Sequence, residues 1–518
     1  MTPFPALLSL SLFFLALPQP TTSTFTPRNI YDLDEQLKQC VIENQAGNCP
    51  VLATKAVPTG TGTILLTDAV TDTNELSFAA AHGLAPGTAV VYDDNSETTI
   101  AGLTDDTMYY VLAGTTASEM KLEASLGSGA IAIATGQGAS NNKISVAMGP
   151  IGDWITTAIT DCSFLFVYNK ITNGVRQPWA LSTQRTFYQQ FNGDVGNWDM
   201  SNCVTLERAF AGFTRTQMSF NRQLNWNVAK VTNFYGTFLQ ANAFNNGGQP
   251  MNWDTSSAVT LKETFKEATL FNQPLNWDTS QVTTLEGTFM AAHAFNNGGQ
   301  PMNWDTSSAV TLKETFRQAY AFNQHLNWDT SQVTTLKYTF MTAFTFNNGG
   351  QPMNWDTSQV TTLEGTFSQA KLFNGLINNW NTQNVRTLKN TFNQAFIFNQ
   401  PINNWNTNNV VSMETTFWDA RKFNQPLNNW DISSVTTLKG TFCKAFEFNG
   451  NVSYWDTSNG PDLANTFWSA RAFNQPLFWD TSRVTTLYRT FCDANAFNQP
   501  LGHWVSFKNF QSRILEKY

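Results

Sequence analysis

The sequence predicts a repeat solenoid, each coil a short strand, a turn and a helical turn, with a small all-β module inserted near its start. Three observations carry that prediction. A Phe-Asn pair recurs at Phe191, Phe220, Phe244, Phe271, Phe295, Phe322, Phe346, Phe373, Phe398, Phe423, Phe448, Phe473 and Phe497. Most of these are 24 to 27 residues apart, the mark of stacked units that cannot bury their apolar face alone. Within each unit the apolar spacing switches from a helical to an extended period. Val57 to about Ser145 lacks the repeat and is rich in Thr, Ala and Gly, with short alternating runs such as "TAVVYDD" and "TMYYVLAG" that read as six or so strands.

One unit shows how the elements follow from the residues. Leu285, Phe289, Ala292 and Phe295 stand at i, i+4, i+7 and i+10, one face of a helical turn. Leu275 and Trp277 alternate around Asn276, the period of a brief strand. Asp278-Thr279-Ser280 follows as an Asx or Ser/Thr turn. The Asn after each repeat Phe, Asn192 through Asn498, and the Thr before the other Phe, as at Thr264, Thr288 and Thr315, read as rows of local side-chain bonds to the backbone. An earlier coil is visible at "GPIGDWITTAITDCSFLF", with Trp154 at the repeat tryptophan. That brings the array to fourteen coils, with an irregular join between Val167 and Phe187.

The stretch "AFNNGGQPMNWDTSSAVTLKETF" occurs twice, from Ala243 and from Ala294. A double coil of 51 residues, Phe244 to Phe295 and on to Phe346, is therefore a recent duplication. The Asn-Gly-Gly at Gly247, Gly298 and Gly349 falls just before the strand, where Gly permits a bulge.

Composition narrows the function classes. Charged residues are only 13% of 518, the net charge is −8, and the basic residues are scattered; nucleic acid is excluded as a partner. The apolar run Ala6–Leu17 is too short to span a bilayer, and Pro and small polar residues follow it, as in a secretory signal. No later segment is long and apolar enough to cross a membrane. Six cysteines suit an oxidising compartment. Cys40 and Cys49 flank a loop and are the disulfide candidates, Cys162 and Cys203 a possible second pair. Cys443 and Cys492 share a repeat position two coils apart, beyond disulfide reach.

The unit "FNQPLNNWDISSVTTLKGTF" from Phe423 resembles the repeat of BspA-like surface proteins, a divergent leucine-rich-repeat group written with Phe-Asn, Trp-Asp-Thr-Ser and a Val-Thr pair. The resemblance covers about Gly149 to Trp504, some two thirds of the chain. It departs at positions such as Leu285 and Thr288, where that family often has Met. It implies an extracellular, non-enzymatic solenoid for adhesion or protein binding, and brings no catalytic residues. "HGLAPGTAVVY…IAGLTDDTMYYVL…KLEASLG" is similar to a small β-module of large bacterial adhesin-like proteins, and Phe25–Pro50 resembles the cap that runs into the first coil. The expected organisation is a signal peptide at 1–23, cap at 24–50, β-module at 51–147, solenoid at 148–504 and tail at 505–518.

Candidate sites are few. Asp254, Asp278, Asp305, Asp329 and Asp356 form a column, resumed at Asp431, Asp456 and Asp480, where a divalent cation such as calcium would relieve repulsion between carboxylates roughly 5 Å apart; turn capping accounts for them without a metal. Trp418 and Trp468 occupy a column elsewhere held by Lys266, Arg317, Ser368 and Asn393, and are the ligand candidates. Asn451 opens an N-glycosylation sequon. The drifting period argues against an ice-binding face. Four histidines without a Ser or Cys partner, no phosphate loop and no marked carboxylate pair leave no catalytic constellation. The sequence thus predicts a secreted or surface-held, non-enzymatic recognition protein for protein or glycan, without an obligate cofactor. Its alternative is a self-associating component of a wall, sheath or appendage.

Overall fold

The computed structural model describes residues 159–166, 192–212 and 218–504, together with the backbone of eight strands between 64 and 177. The expected signal peptide, the cap with Cys40 and Cys49, and the tail lie outside the described residues. The chain divides into two compact units, one containing Asn48–Trp154 and the other Ile155–Tyr518.

In the first unit six strands close into a barrel. They are β1 (Ile64–Asp68), β2 (Leu76–Phe78), β3 (Ala89–Asp93), β4 (Thr107–Ala113), β5 (Glu119–Glu123) and β6 (Lys143–Val146), ordered β1-β2-β5-β4-β3-β6 and back to β1. Every pairing is antiparallel, and the register shifts once, between Leu66 and Asp68. Closure leaves no strand edge open to pair with another chain.

In the second unit, β7 (Lys170–Thr172) and β8 (Val175–Gln177) form a hairpin, and the repeats follow as coils joined edge to edge. Isolated parallel bridges link Asp161 to Thr205, Thr205 to Asn233, and so on through Thr260, Thr284, Thr311 and Thr335 to Thr362, then from Thr387 to Thr486. The step between is carried by Leu363 N donating to Thr387 O at 3.2 Å and Arg386 N to Thr361 O at 2.9 Å. Cys162 and Cys203 sit on coils bridged in this way. They form a disulfide, with Cα atoms 5.8 Å apart.

Local structure inside a coil differs from the sequence expectation in two places. Leu285, Phe289, Ala292 and Phe295 are all buried, but the segment is a run of hydrogen-bonded turns rather than a helical turn. From Gly236 to Asp493 each coil places two residues in the left-handed region four positions apart, as at Glu263 (φ 53°) and Glu267 (φ 59°), then Gly287 (φ 62°) and Ala291 (φ 56°). A continuing right-handed helix cannot contain them. They turn every second N–H out of the coil: those of Leu261, Glu263, Phe265 and Glu267 donate to the carbonyls of Thr284, Glu286, Thr288 and Met290 on the next coil, at 2.7–3.2 Å. The second difference is the expected strand around Trp277. That segment is extended without strand pairing, and the sheet-like bridge falls at Thr284 instead. Around Trp277 side chains make the joins: its indole N–H donates to Met251 O at 3.0 Å, and Thr279 Oγ1 donates to Asp305 O at 2.7 Å.

The core is a set of aromatic files. Trp253 and Trp277 stack at 6.0 Å, Phe265 and Phe289 at 5.7 Å, and Phe265 meets Phe271 of its own coil at 4.1 Å. Each such side chain contributes about 1.5–3 kcal/mol on leaving water, and ring pairs at these distances add to that. Two polar files accompany the rings, a threonine file inside the core and an asparagine file at its margin. Thr288 Oγ1 lies 2.9 Å from Leu285 O and 3.0 Å from Leu261 O, joining its own coil to the preceding one. The Asn after each repeat Phe accepts, through Oδ1, the backbone N–H of its counterpart on the next coil, unbroken from Asn192 to Asn498.

Asn-Gly-Gly is not a bulge. It makes a short 3-10 turn, Asn297–Gly299, with Gly298 at φ 60° and Gly299 at φ 79°. The turn drives Asn297 fully into the interior. There Oδ1 accepts the Leu275 N–H at 2.8 Å and Nδ2 reaches the carbonyls of Gln300 and Pro301, both at 3.0 Å. Asn246 and Asn348 repeat this arrangement.

Removing that buried amide strands a buried N–H, so Asn297→Ala is expected to cost about 1–3 kcal/mol. Asn424→Ala, at an exposed position that accepts one N–H from Asn449, is expected to cost less. Urea denaturation of the two variants reads the difference as a shift in midpoint.

Candidate recognition surface

What a coil shows to solvent is set by the same registration that builds its core, since each outward position becomes a file along the stack. Beside the bridges runs an exposed β-branched file: Val204, Thr232, Val259, Thr283, Val310 and Thr334. Next to it, charges alternate. Glu286 lies between Lys262 at 3.2 Å and Lys313 at 2.9 Å, and Lys337 and Lys389 pair with Glu364 and Glu414. Burial pushes the Glu286 carboxyl up, but the bonds from Lys313 and Lys262 outweigh it and hold it below its usual value. In the following file Tyr338 lies across Gly365, where a Cβ would come within 2.4 Å of the ring. Its hydroxyl donates to Glu364 at 2.6 Å, and burial, then that carboxylate, push its pKa up to about 12.

A further file, missed in the sequence, alternates rings and cations. His293 stacks on Tyr320 at 4.3 Å and Tyr320 on Phe344 at 4.8 Å. Lys371 then stands over Phe344 at 4.2 Å, Arg421 over Phe396 at 4.2 Å and Arg471 over Phe446 at 4.6 Å. Its signal was the residue two before each repeat Phe, visible only once the coils are aligned.

Trp418 and Trp468 do come together. Although two coils apart, their half-buried rings meet edge to face with centroids 6.2 Å apart. Small residues on the intervening coil make room: Cys443 is fully buried, and a Cβ on Gly440 would lie 2.9 Å from the Trp418 ring. Lys444 stands over the Trp468 ring at 5.4 Å, and the Trp468 indole N–H donates to Asp493 Oδ2 at 3.2 Å. The result is an amphipathic patch with a cation and an anion at its rim. Beneath it, burial pushes the Cys443 thiol up to about 12.

The aspartates stand at the turns that follow the tryptophans. Asp254, Asp278, Asp305, Asp329, Asp356, Asp431, Asp456 and Asp480 are exposed, and each Oδ1 accepts the N–H of the Ser two residues on, at 2.8–3.1 Å. Among the described residues no group of three or more His, Cys, Asp or Glu is gathered to hold a metal ion. Asn451 is exposed and its Oδ1 accepts the N–H of the buried Ser453 at 3.0 Å. Among the described residues no helix is long and apolar enough to cross a membrane.

These files recur along a stretch that a family model also recognises. The model, described as Mycoplasma protein of unknown function, DUF285, matches residues 181–300, 275–353, 350–444 and 426–514, running without a gap across more than half of the chain. The chain belongs to this family. No curated protein and no solved structure matches it. Tandem DUF285 matches and bridged coils describe the same periodicity, since each match takes in several consecutive coils. The DUF285 region contains Trp418, Trp468 and the aspartate file from Asp254 to Asp480.

Two outcomes follow from this geometry. The Cys443 thiol is expected to resist a thiol reagent in the native protein and to react in Trp418→Ala/Trp468→Ala, measured by absorbance at equal folded fraction. Hydrogen bonds from Ser256, Ser307, Ser458 and Ser482 hold Asp254, Asp305, Asp456 and Asp480 below the usual 3.8. A carboxyl lowered on folding adds stability that is present above 3.8 and lost as pH falls through the lowered value. The urea midpoint is expected to drop with acidification below 3.8, and by less in Ser256→Ala/Ser458→Ala; solvent screening keeps the effect small.

Proposed function

We propose that this chain is a secreted or surface-held, non-enzymatic recognition protein of the BspA-like leucine-rich-repeat type. In this reading its DUF285 repeats form a solenoid that presents outward files to a protein or glycan ligand on a cell surface. The observation that carries it is the division of labour within a coil. Inward positions repeat as Phe, Leu or Met, and Trp, whereas the half-buried file holding Trp418 and Trp468 varies, with Lys266, Arg317 and Asn393 at other coils. Two tryptophans meet in that file at the surface, and aromatic anchors with a polar rim are what binding surfaces concentrate. The apolar segment Ala6–Leu17 supports export, and the Cys162–Cys203 disulfide fits an oxidising compartment.

A glycan array and a panel of cells, probed with the full chain, test the proposal. Saturable binding is expected, weakened by at least about 2 kcal/mol in Trp418→Ala/Trp468→Ala, and unchanged when calcium is chelated. Concentration-dependent assembly without any ligand binding would instead support the structural component of a wall, sheath or appendage.

A further inference from the structure

One outward file changes character at the end of the array. The residue before each repeat tryptophan is Asn in ten coils, Asn197, Asn225, Asn252, Asn276, Asn303, Asn327, Asn354, Asn379, Asn404 and Asn429. In the last three it is Tyr454, Phe478 and His503. Tyr454 is 79% and Phe478 57% exposed, the first being the most exposed large hydrophobic among the described residues. Their rings stack at 5.1 Å, and Phe478 approaches His503 at 6.3 Å. The chain therefore leaves a continuous aromatic strip in water where ten other coils place an amide.

Carboxylates accompany the strip. Exposure alternates along the segment, with Tyr454 and Asp456 outward and Trp455 buried between them; Phe478, Trp479 and Asp480 repeat the pattern. Residues two apart in an extended chain share a face, so Asp431, Asp456 and Asp480 form a parallel file beside the rings. Each accepts a Ser N–H through Oδ1, and all three carboxylates are exposed to solvent. The charge of Arg483 reaches Asp480. Among the described residues no basic side chain stands over Tyr454 or Phe478.

We propose that the Tyr454–Phe478–His503 strip, with Asp431, Asp456 and Asp480 beside it, docks an extended basic segment of a protein partner. Three features select that occupant. Rings next to carboxylates attract Lys and Arg through both the ring quadrupole and the opposite charge. Side chains on one face of an extended peptide recur about every 6.6 Å, against ring separations of 5.1 Å for Tyr454–Phe478 and 6.3 Å for Phe478–His503, so over this short strip basic residues at alternate positions reach successive rings. The chain also shows this chemistry internally, where Arg421 lies between Phe396 at 4.2 Å and Phe446 at 5.9 Å; at the strip it supplies the rings and leaves the cation to come from outside.

The inference rests on the recognition function proposed above, but uses residues separate from Trp418 and Trp468. The probe is a labelled Arg-Ser-Arg-Ser-Arg peptide, titrated into the full chain by fluorescence anisotropy at low and high salt. Saturable, salt-sensitive binding is expected, weakened about tenfold in Tyr454→Asn/Phe478→Asn. That variant carries the residue ten other coils tolerate, so loss of binding is separable from loss of fold. Asp456→Asn/Asp480→Asn is expected to weaken binding, whereas Asp278→Asn/Asp305→Asn, which removes equal charge beside Asn276 and Asn303, is expected to bind as the native chain does. So is Trp418→Ala/Trp468→Ala. Equal binding by the Tyr454/Phe478 variant, equal loss in the Asp278/Asp305 control, or competition by a neutral oligosaccharide would each overturn the proposal. A chain that binds cells but ignores the peptide sinks this strip and leaves the recognition function standing. Peptide binding without any cell or glycan binding does the reverse.

Discussion

Alternate backbone N–H groups in a coil have to find their partners on a neighbouring coil, because the turns within the coil satisfy only those between them: Thr264, Lys266 and Ala268 bond inside their coil, whereas Leu261, Glu263, Phe265 and Glu267 bond outside it. Buried N–H and C=O groups left alone are costly, and the rest of the array follows from avoiding that cost. The paired left-handed residues, such as Glu263 and Glu267, exist to aim alternate N–H groups out of the coil. Their strain, of order 1 kcal/mol or more each for a residue other than Gly, is offset by the cross-coil bonds it makes possible. The threonine and asparagine files complete the account where the backbone cannot reach. Once coils are locked in register, aromatic stacking at about 6 Å is a consequence, and so is the alignment of surface positions into files.

This hierarchy explains what the sequence disclosed. The period, the buried Phe, Leu and Trp, the amide file and the Asp turns all lie in one-coil patterns, and a one-coil pattern can be read from a single copy. The Asn file could be named because its chemistry is local: one amide, one turn, one neighbour. The apolar spacing of Leu285–Phe295 fits a helical turn and the observed run of turns equally well. What decides the backbone there is the demand of the next coil, which periodicity does not record. The same holds for Asn297, where Asn-Gly-Gly fits a bulge as readily as the 3-10 turn it makes. Its amide is polar by composition yet wholly interior, serving a Leu275 N–H that no local pattern points to.

Surface chemistry was legible in proportion to how few coils it involves. Trp418 and Trp468 stood out as odd residues in a polar file, and the structure brings them together across Cys443. The alternation of Phe344, Lys371, Phe396, Arg421, Phe446 and Arg471 spans six coils, each residue unremarkable in its own. The aspartate file drew attention because a column of like charge invites a counterion. Its residues cap turns through Oδ1, the role that the Asp-Thr-Ser pattern discloses within one coil.

The direction of the bonds has a consequence for how such a chain lengthens. On one side of the coil the N–H groups of Leu261, Glu263, Phe265 and Glu267 donate toward the carboxyl-terminal neighbour. Thr283 N, beside the same bridge, and elsewhere in the coil the Trp277 indole and the Asn272 N–H donate toward the amino-terminal one. The two sets of bond dipoles oppose each other and partly cancel, instead of all adding head to tail as in an α-helix. Each added coil offers its neighbours the same donors and acceptors as the coil it follows. Gene duplication can therefore insert a whole pair of coils, as between Phe244 and Phe346, without disturbing the coils already there.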